Sequence, residues 1–572
     1  MEVTSEILEK ARVWTGSAYD AETRETVQNL VDHHPAELAE AFHQDLEFGT
    51  GGLRGIMGVG TNRINPYTVA MATQGLSNYL LSAFPNTTIK VAVAHDSRLK
   101  SPEFARKTAE VFAANGFEVY LFDGLRPTPE LSFAIRHLGC KSGVVITASH
   151  NPKEYNGYKA YWEDGGQVIA PHDRNIIEQV RQIAGIEAVK TTFEPSRIHT
   201  IGAEVDQAYL KQVQAQTFFQ GDKGLNIVYT PLHGSGVQGV PQALEALGYS
   251  NVELVPEQAE PDGNFPTVHS PNPEEQAALD LAMQLARANG ADLVMGTDPD
   301  ADRVGIAVRD NHGELVLLNG NQVGAMIVHY LLLQWQEHGR LTGKEFVTKT
   351  IVTTDLINDI ARHFDVTCYE TLTGFKHMAK LIRELEGKEQ YIGGGEESYG
   401  YMIGDFVRDK DAVMSAVIIA EIAAWANAKG SSFFNEMLAM YQQFGCYREF
   451  GMSLVKKGIE GAATIRNMMT EYRENPPKEL AGMPVVRIND FQAQQATDCT
   501  TGTTTPIDLP VSNVLQYITA DGSKATVRPS GTEPKIKYYI SVKGTLEDPA
   551  NYDLVSRELE AKIAAMKEGL GI

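Results

Sequence analysis

Three carboxylates at alternate positions, Asp298, Asp300 and Asp302 in the stretch DPDADR, are the strongest chemical signal in this 572-residue chain. On an extended loop they can turn toward one point, and three hard anionic oxygens repel one another unless a cation lies between them, which suits Mg2+. A solvated acidic turn is the plain alternative. An EF-hand calcium loop starting at Asp298 fails on position, because its sixth residue is Arg303 where Gly is needed and its twelfth is Arg309 where Glu is needed. A second stretch, VVITASHNPKEYNGYKAY from Val144, delivers Ser149 and His150 from an apolar run into a polar loop. Lys159, ten residues beyond the serine and past a glycine that lets the chain return tightly, is a candidate proton carrier if burial or nearby cations lower its pKa. The turn-forming habits of Ser, Asn and Pro explain the loop almost as well. No G-x-S-x-G elbow surrounds Ser149, so phosphoryl chemistry on its hydroxyl fits better than acyl transfer.

Further loops add donors. In GEESYG, Glu396 and Ser398 follow the apparent strand QYIGG and can clasp neighbouring sugar hydroxyls, although a glycine-flanked turn reads the same. VRPSGTEPK supplies Arg528, Ser530, the amides around Gly531, and Thr532, a compact donor set for a phosphate dianion or a turn built on Pro529 and Gly531. GTGGLRG and TGFKH each place one cation, Arg54 or Lys376, on a glycine-bearing loop. GSGVQG sets Gly234, Gly236 and Gly239 in dinucleotide-fingerprint spacing, with Glu253 further on. Against a dehydrogenase, Pro231, Leu232 and His233 separate the strand from the first glycine, and the aspartates and Ser149 would have no task. His233 reads as a loop residue.

The elements that must carry these loops repeat one pattern, a short β-branched run, a polar loop, then a helical period. VAVAHDSR (91–98), GVVITASHNP (143–152), NIVYTPLHG (226–234), DLVMGTDPDADR (292–303) and FVTKTIVTTD (346–355) are the clearest cases. Near-continuous apolar strands flanked by helices such as SPEFARKTAEVFAANG predict parallel sheets covered on both faces, with ligands beyond the carboxyl ends of the strands. After about Cys446 the alternating KIKYYISV predicts a separate α+β domain. This length implies about four domains. With 50 Lys and Arg against 73 Asp and Glu the net charge is −23, so a nucleic-acid backbone is repelled. No apolar stretch reaches a membrane span, because AVMSAVIIAEIAAWA carries Glu421, and the acidic start MEVTSEILEKARVW is unlike a secretory signal, which predicts a cytoplasmic protein. The four scattered cysteines, Cys140, Cys368, Cys446 and Cys499, read as reduced packing residues.

Taken in chain order, TASHNP, DPDADR, GEESYG and RPSGTEPK resemble the four signature loops of the α-D-phosphohexomutase superfamily, and the similarity runs from about Gly49 to Val542. The resemblance implies three similar doubly wound mixed-sheet α/β domains, 1–208, 209–322 and 323–445, and a smaller α+β domain, 446–572, around a central cleft. It implies that Ser149 carries a phosphoryl group and completes an Mg2+ shell with Asp298, Asp300 and Asp302. Arg54, His150, Lys159, Arg303 and Lys376 are then catalytic, Glu396 and Ser398 grip the sugar, and Arg528, Ser530, Gly531 and Thr532 hold the idle phosphate. GEESYG is similar to the phosphoglucomutase version of the third loop, not to GEMSGH. The expected reaction therefore interconverts glucose 1-phosphate and glucose 6-phosphate through glucose 1,6-bisphosphate. EFGTGGLRGIMGVGTNRIN and GYKAYWEDGGQVIAPHD are more similar to the branch that includes phosphopentomutases and glucose-1,6-bisphosphate synthases, which keeps mannose and pentose phosphates open as alternatives. A non-catalytic sugar-phosphate sensor is the remote alternative. Small sugar phosphates are the expected partners, without nucleic acid or membrane, in a monomer or homodimer.

Overall fold

A computed structural model describes residues 3–49, 51–456, 458–530 and 535–572. The chain divides into two compact units. One comprises Met1–Asn319, Phe375–Gly393 and Ser398–Ala428, the other Gly320–Gly374, Gly394–Glu397 and Lys429–Ile572.

In the first unit, three short helices, Ser5–Trp14, Ala21–His33 and Pro35–Phe42, close on their own core of Ile7, Ala11, Trp14, Leu30, Leu38 and Phe42. A six-stranded sheet follows, formed by β1 (Gly52–Ile56), β2 (Lys90–His95), β3 (Glu118–Phe122), β4 (Ser142–Ile146), β5 (Tyr155–Trp162) and β6 (Ile198–Ile201) in the order β1-β5-β4-β2-β3-β6. The central strands are parallel, as their apolar runs predict: β4 is buried throughout, and β2 in all but its first residue, between helices that include Pro66–Ala83 and Ser101–Ala114. Asn65 starts the first of these helices through a reciprocal capping box with Thr68, with Pro66 at its first position. The tight return seen in the sequence is β5, which runs antiparallel to both β4 and β1. Val145 lies opposite Lys159 in one pair and Gly52 opposite Lys159 in the other. Gly157 is required there, since a Cβ would stand 2.3 Å from the Thr147 carbonyl oxygen.

A second sheet contains β7 (Ile227–Thr230), β8 (Val252–Leu254), β9 (Leu293–Thr297), β10 (Val304–Arg309) and β11 (Leu315–Leu318), ordered β11-β10-β9-β7-β8. Strands β7, β8 and β9 are parallel, while β10 returns antiparallel to β9 with Val304 opposite Thr297. The aspartate stretch is therefore a hairpin turn and not the extended loop expected from alternate spacing. Ala301 adopts a left-handed φ of 49°, and its N–H donates to the Asp298 carbonyl at 2.9 Å.

A third run of alternating elements comprises β12 (Glu345–Thr350), β13 (Thr367–Thr371), β14 (Gln390–Gly395) and β15 (Tyr401–Ile403), with helices Leu356–His363, Phe375–Leu385 and Ala412–Ala428. Strands β12 and β13 pair in parallel. Beyond Cys446 the second unit holds an antiparallel sheet covered by helices Gly458–Glu474 and Tyr552–Gly569. In its strand Lys535–Gly544 the residues Ile536, Tyr538 and Ile540 are buried in alternation, as KIKYYISV predicts. The fold is thus three α/β segments with mixed sheets followed by a β-rich C-terminal segment. Among the described residues no single helix is long and apolar enough to cross a membrane. Cys140 and Cys446 are buried packing residues, but Cys499 is exposed on a turn, where polar neighbours carry the chain and no core forms.

Candidate active site

Residues from three separated stretches of the first unit converge on the carboxyl ends of β4 and β9. Past β4, Ser149 takes a left-handed φ of 52° and is buried. Its amide donates to Thr147 Oγ1 at 2.8 Å, and Thr147 Oγ1 donates to Asp96 Oδ2 at 2.6 Å. Ser149 Oγ donates to Asp298 Oδ2 at 2.6 Å, across 149 positions of sequence, and lies 3.1 Å from His150 Nδ1. Burial, then Arg303 and Arg54, pull His150 well below the usual histidine pKa, so its imidazole is neutral at pH 7.

The turn after β9 points its three carboxylates inward. One oxygen from each of Asp298, Asp300 and Asp302 lies within 4.8 Å of the others, and all three residues are buried. Asp298 Oδ1 accepts the amides of Asp302 and Arg303, at 3.1 and 3.0 Å, which closes the turn. Burial, reinforced by Asp300 and Asp302, pushes Asp298 well above the carboxylate range. Asp302 moves the other way: burial would raise it, but Lys410, Lys159 and Arg303 outweigh that and hold it ionised. Asp300 Oδ1 and Asp302 Oδ1 are buried with no hydrogen-bond partner among the described residues. Unbonded hard oxygens within a set of three converging carboxylates are what a divalent cation satisfies, so the set fits Mg2+.

Lys159 crosses from β5 to this turn, with Nζ 2.6 Å from Asp300 Oδ2 and 3.2 Å from Asp302 Oδ2. Its pKa is raised, not lowered toward neutrality as expected from the sequence. Burial does pull it down, yet the carboxylates of Asp300 and Asp302 more than compensate, and Lys159 is an ammonium at pH 7. Arg303 is half-buried and its Nη1 donates to Glu274 Oε1. Arg54, on β1, reaches the serine loop through Nη1 and Asn151 Oδ1 at 3.3 Å.

The structure adds residues that the sequence did not single out. Lys410 Nζ lies 3.2 Å from Asp302 Oδ2 and from Asp409 Oδ1, and Asp409 Oδ2 accepts from Tyr161 at 2.7 Å. Gly400, the last residue of GEESYG, leaves room for this lysine, since a Cβ there would stand 2.0 Å from Lys410 Cδ. The base between acids in VRDKDA was the available signal. Thr128 anchors Asp300, with Oγ1 donating to Oδ2 and N to the carbonyl, both at 2.8 Å. The first two glycines of the triplet seat the aspartate turn, since a Cβ at Gly234 would stand 2.4 Å from Pro299 Cα and one at Gly236 would stand 2.4 Å from Thr297 Oγ1, while one at Gly239 would stand 2.9 Å from Val413 Cγ2. The task of the triplet is therefore packing. His233 is a loop residue, with Nδ1 3.0 Å from the Glu260 carbonyl oxygen and Nε2 2.9 Å from Thr267 Oγ1.

Lys376 is the second residue of the helix Phe375–Leu385, following Phe375, on whose ring the Lys410 ammonium rests at 5.5 Å. Ser398 is half-buried next to Tyr399, whose carbonyl accepts from Val304 N just past the aspartate turn. In the second unit, Glu396 Oε1 accepts from Gly374 N at 2.7 Å. Arg528 lies next to the end of the strand Lys524–Pro529, opposite Lys537, and Ser530 N donates to the Lys535 carbonyl at 2.7 Å. Gly531 and Thr532 lie outside the described residues. Tyr539, also missed in sequence, senses both loops of that unit: burial first, then Glu397, pushes its phenol up, while a hydrogen bond with Arg528 acts against the shift.

Comparison with known proteins agrees with this architecture. Residues 45–186, 207–313 and 319–442 match alpha/beta/alpha domains I, II and III of Phosphoglucomutase/phosphomannomutase. The chain is 38% identical over 554 residues to a phosphoglucomutase of Staphylococcus aureus (strain MRSA252), covering 96% of this chain and 98% of the relative. It is also 38% identical over 510 residues to one from Staphylococcus epidermidis, covering 88% and 92%. The fold matches a putative phosphomannomutase from Thermus thermophilus with a TM-score of 0.68 at 22% identity, covering 92% of this chain and 98% of that one. The open form of the Paramecium phosphoprotein pp63/parafusin matches at 0.66 and 18%, covering 92% and 96%. The chain belongs to the α-D-phosphohexomutase superfamily and is of the phosphoglucomutase type. Its class of activity is that of an isomerase, a phosphotransferase mutase.

Proposed function

We propose that this mutase interconverts glucose 1-phosphate and glucose 6-phosphate through a phosphoserine at Ser149 and glucose 1,6-bisphosphate. The observation that carries the reading is the 2.6 Å contact between Ser149 Oγ and Asp298 Oδ2, which sets the serine hydroxyl at the edge of a three-carboxylate cation site. Asp298, Asp300 and Asp302 would hold Mg2+, which when bound neutralises charge on the transferring phosphoryl oxygens. Phosphate monoesters are among the slowest bonds to break unaided, so the site must supply mainly charge stabilisation and alignment.

In the forward half-reaction the phosphorus–oxygen bond to Ser149 breaks as one forms to the sugar hydroxyl. Lys159, protonated as found, donates a proton to the leaving serine oxygen and takes up the proton of the attacking sugar hydroxyl in exchange. In the return step Ser149 Oγ attacks, its proton passes to the neutral His150 Nδ1, 3.1 Å away, and Lys159 protonates the leaving sugar oxygen. Arg54, Arg303 and Lys376 supply positive charge around the phosphates. Glu396 and Ser398 grip the sugar, and Arg528, Ser530, Gly531 and Thr532 hold the phosphate that is not reacting. Four domains, 1–208, 209–322, 323–445 and 446–572, divide these tasks. The enzyme is cytoplasmic and works as a monomer or homodimer, and its net charge of −23 disfavours a nucleic-acid partner.

Intact-mass measurement after incubation with glucose 1,6-bisphosphate should show one added phosphoryl group on the peptide containing Ser149. Ser149→Ala should stay folded and lose turnover by several orders of magnitude, whereas a serine that serves only the buried turn would cost about 1 kcal/mol of stability, the worth of one hydrogen bond, and leave turnover per folded molecule alone. A coupled assay over glucose, mannose, glucosamine and pentose 1-phosphates decides the sugar. Near-normal turnover of the alanine variant would overturn the carrier.

A further inference from the structure

Arg98 follows β2 and is 1% exposed, among the largest fully buried side chains of the protein. Its guanidinium is devoted to one loop. Nη1 donates to the carbonyls of Pro152 and Tyr155 at 2.9 and 3.0 Å, and Nη2 to those of Ser149, at 2.6 Å, and Asn151. Asp96 balances the charge from 3.5 Å, and the Phe265 ring covers the cation at 5.0 Å. The same Asp96 accepts from Ser101 Oγ, Arg98 N and Thr147 Oγ1, and Thr147 in turn accepts the Ser149 amide. Ser149 is therefore gripped on both sides, its N–H through Thr147 and Asp96, its carbonyl by Arg98.

The grip has a conformational purpose. A serine with φ of 52° is strained by about 1–3 kcal/mol, and such strain persists only where the surroundings over-determine it. Four carbonyl oxygens drawn from residues 149–155 would repel one another without a cation among them. A planar guanidinium offers a fan of donors matched to several acceptors, which the point charge of a lysine does not reproduce.

We propose that Arg98 is the positioning residue for the Ser149 phosphoryl carrier: by collecting the loop carbonyls it enforces the left-handed serine and aims Oγ at the aspartate site. This rests on Ser149 being the carrier. Arg98 acts through backbone alone, so its loss should slow phosphoryl transfer without loosening the sugar.

The test compares Arg98→Lys and Arg98→Ala with wild type in three readouts: the rate at which glucose 1,6-bisphosphate phosphorylates Ser149, followed by quenched intact mass; kcat and KM for glucose 1-phosphate; and thermal unfolding. Arg98→Lys should lower the phosphorylation rate and kcat by about 100-fold, the scale of an ångström's misplacement, with KM nearly unchanged. Millimolar guanidinium should restore part of the activity of Arg98→Ala. If Arg98→Ala does not fold, Thr147→Val provides an independent arm: it removes the acceptor of the Ser149 amide, leaves Arg98 in place, and should slow phosphorylation likewise. A lower Tm with wild-type kcat per folded molecule in Arg98→Lys, or wild-type phosphorylation in Thr147→Val, would reduce the network to structural support and overturn the proposal. Wild type phosphorylated on another residue would overturn the carrier itself. Phosphorylation at Ser149 with an unimpaired Arg98→Lys overturns only the positioning role.

Discussion

Lys159 has two carboxylate partners in a buried pocket, and that arrangement decides its chemistry. The expectation of a lowered pKa considered burial and nearby cations, whereas Asp300 and Asp302 stand within 3.2 Å and reverse the sign. A lysine held as an ammonium serves as a proton donor and as a counter-charge at once. Lys159→Met should therefore fail in both respects. Turnover should fall by about 100- to 10,000-fold, the usual contribution of a positioned acid. In chelator the variant should lose roughly 3–5 kcal/mol of stability, the cost of stripping a partner from buried charge, and added Mg2+ should restore part of it. A coupled assay beside urea unfolding checks both effects. Turnover within a few fold of wild type would remove Lys159 from the mechanism.

At the scale of elements, the site depends on turns that end strands, while the stability of the fold depends also on helices whose buried groups respond to pH. The helix Gly320–Glu337 carries His329 between the rings of Phe364 and Phe444, with centroids 6.2 and 5.6 Å away. Burial lowers its pKa from 6.5 to about 4, with Glu436 acting weakly in the opposite direction. The sign follows from linkage: the folded state keeps His329 neutral, so its contribution is fully present above pH 6.5 and is lost as pH falls toward 4, where the unfolded chain binds the proton first. Between pH 7 and pH 5 the loss should amount to about 2 kcal/mol. His329→Leu should remove that part of the slope in urea unfolding measured at the two pH values, while the carboxylates common to both proteins contribute equally. An identical slope in the variant would show that His329 is not held neutral.

Across the whole molecule the balance of charge is the dominant physical fact. At a net −23, with three buried aspartates sharing one turn, the folded chain carries unfavourable repulsion that a divalent cation relieves locally and salt relieves broadly. Mg2+ that binds only the folded state should add about 2.7 kcal/mol at a concentration of 100 times its Kd. Melting curves with Mg2+ and with chelator, at fixed ionic strength, should differ in Tm accordingly. Asp300→Asn should abolish the difference without unfolding the protein. Equal Tm values in wild type would mean that the aspartate turn holds no such ion.

The sequence by itself determined the strands, the polar loops at their carboxyl ends and the residue types in those loops, because alternation, apolar runs and turn chemistry are local properties of a chain. VAVAHDSR, GVVITASHNP and DLVMGTDPDADR already specified where β2, β4 and β9 end. The signature loops specified the family for the same reason. Only the tertiary structure decided which loops meet and with what charge. It brought Ser149 to Asp298 across 149 positions, turned the aspartate loop into a hairpin, put Lys410 beside Asp302 and gave GSGVQG a packing task. It also set the sign of the Lys159 shift and gathered four carbonyls onto Arg98. These outcomes depend on distances between residues far apart in the chain and on the water excluded around them, and neither quantity is written in local sequence.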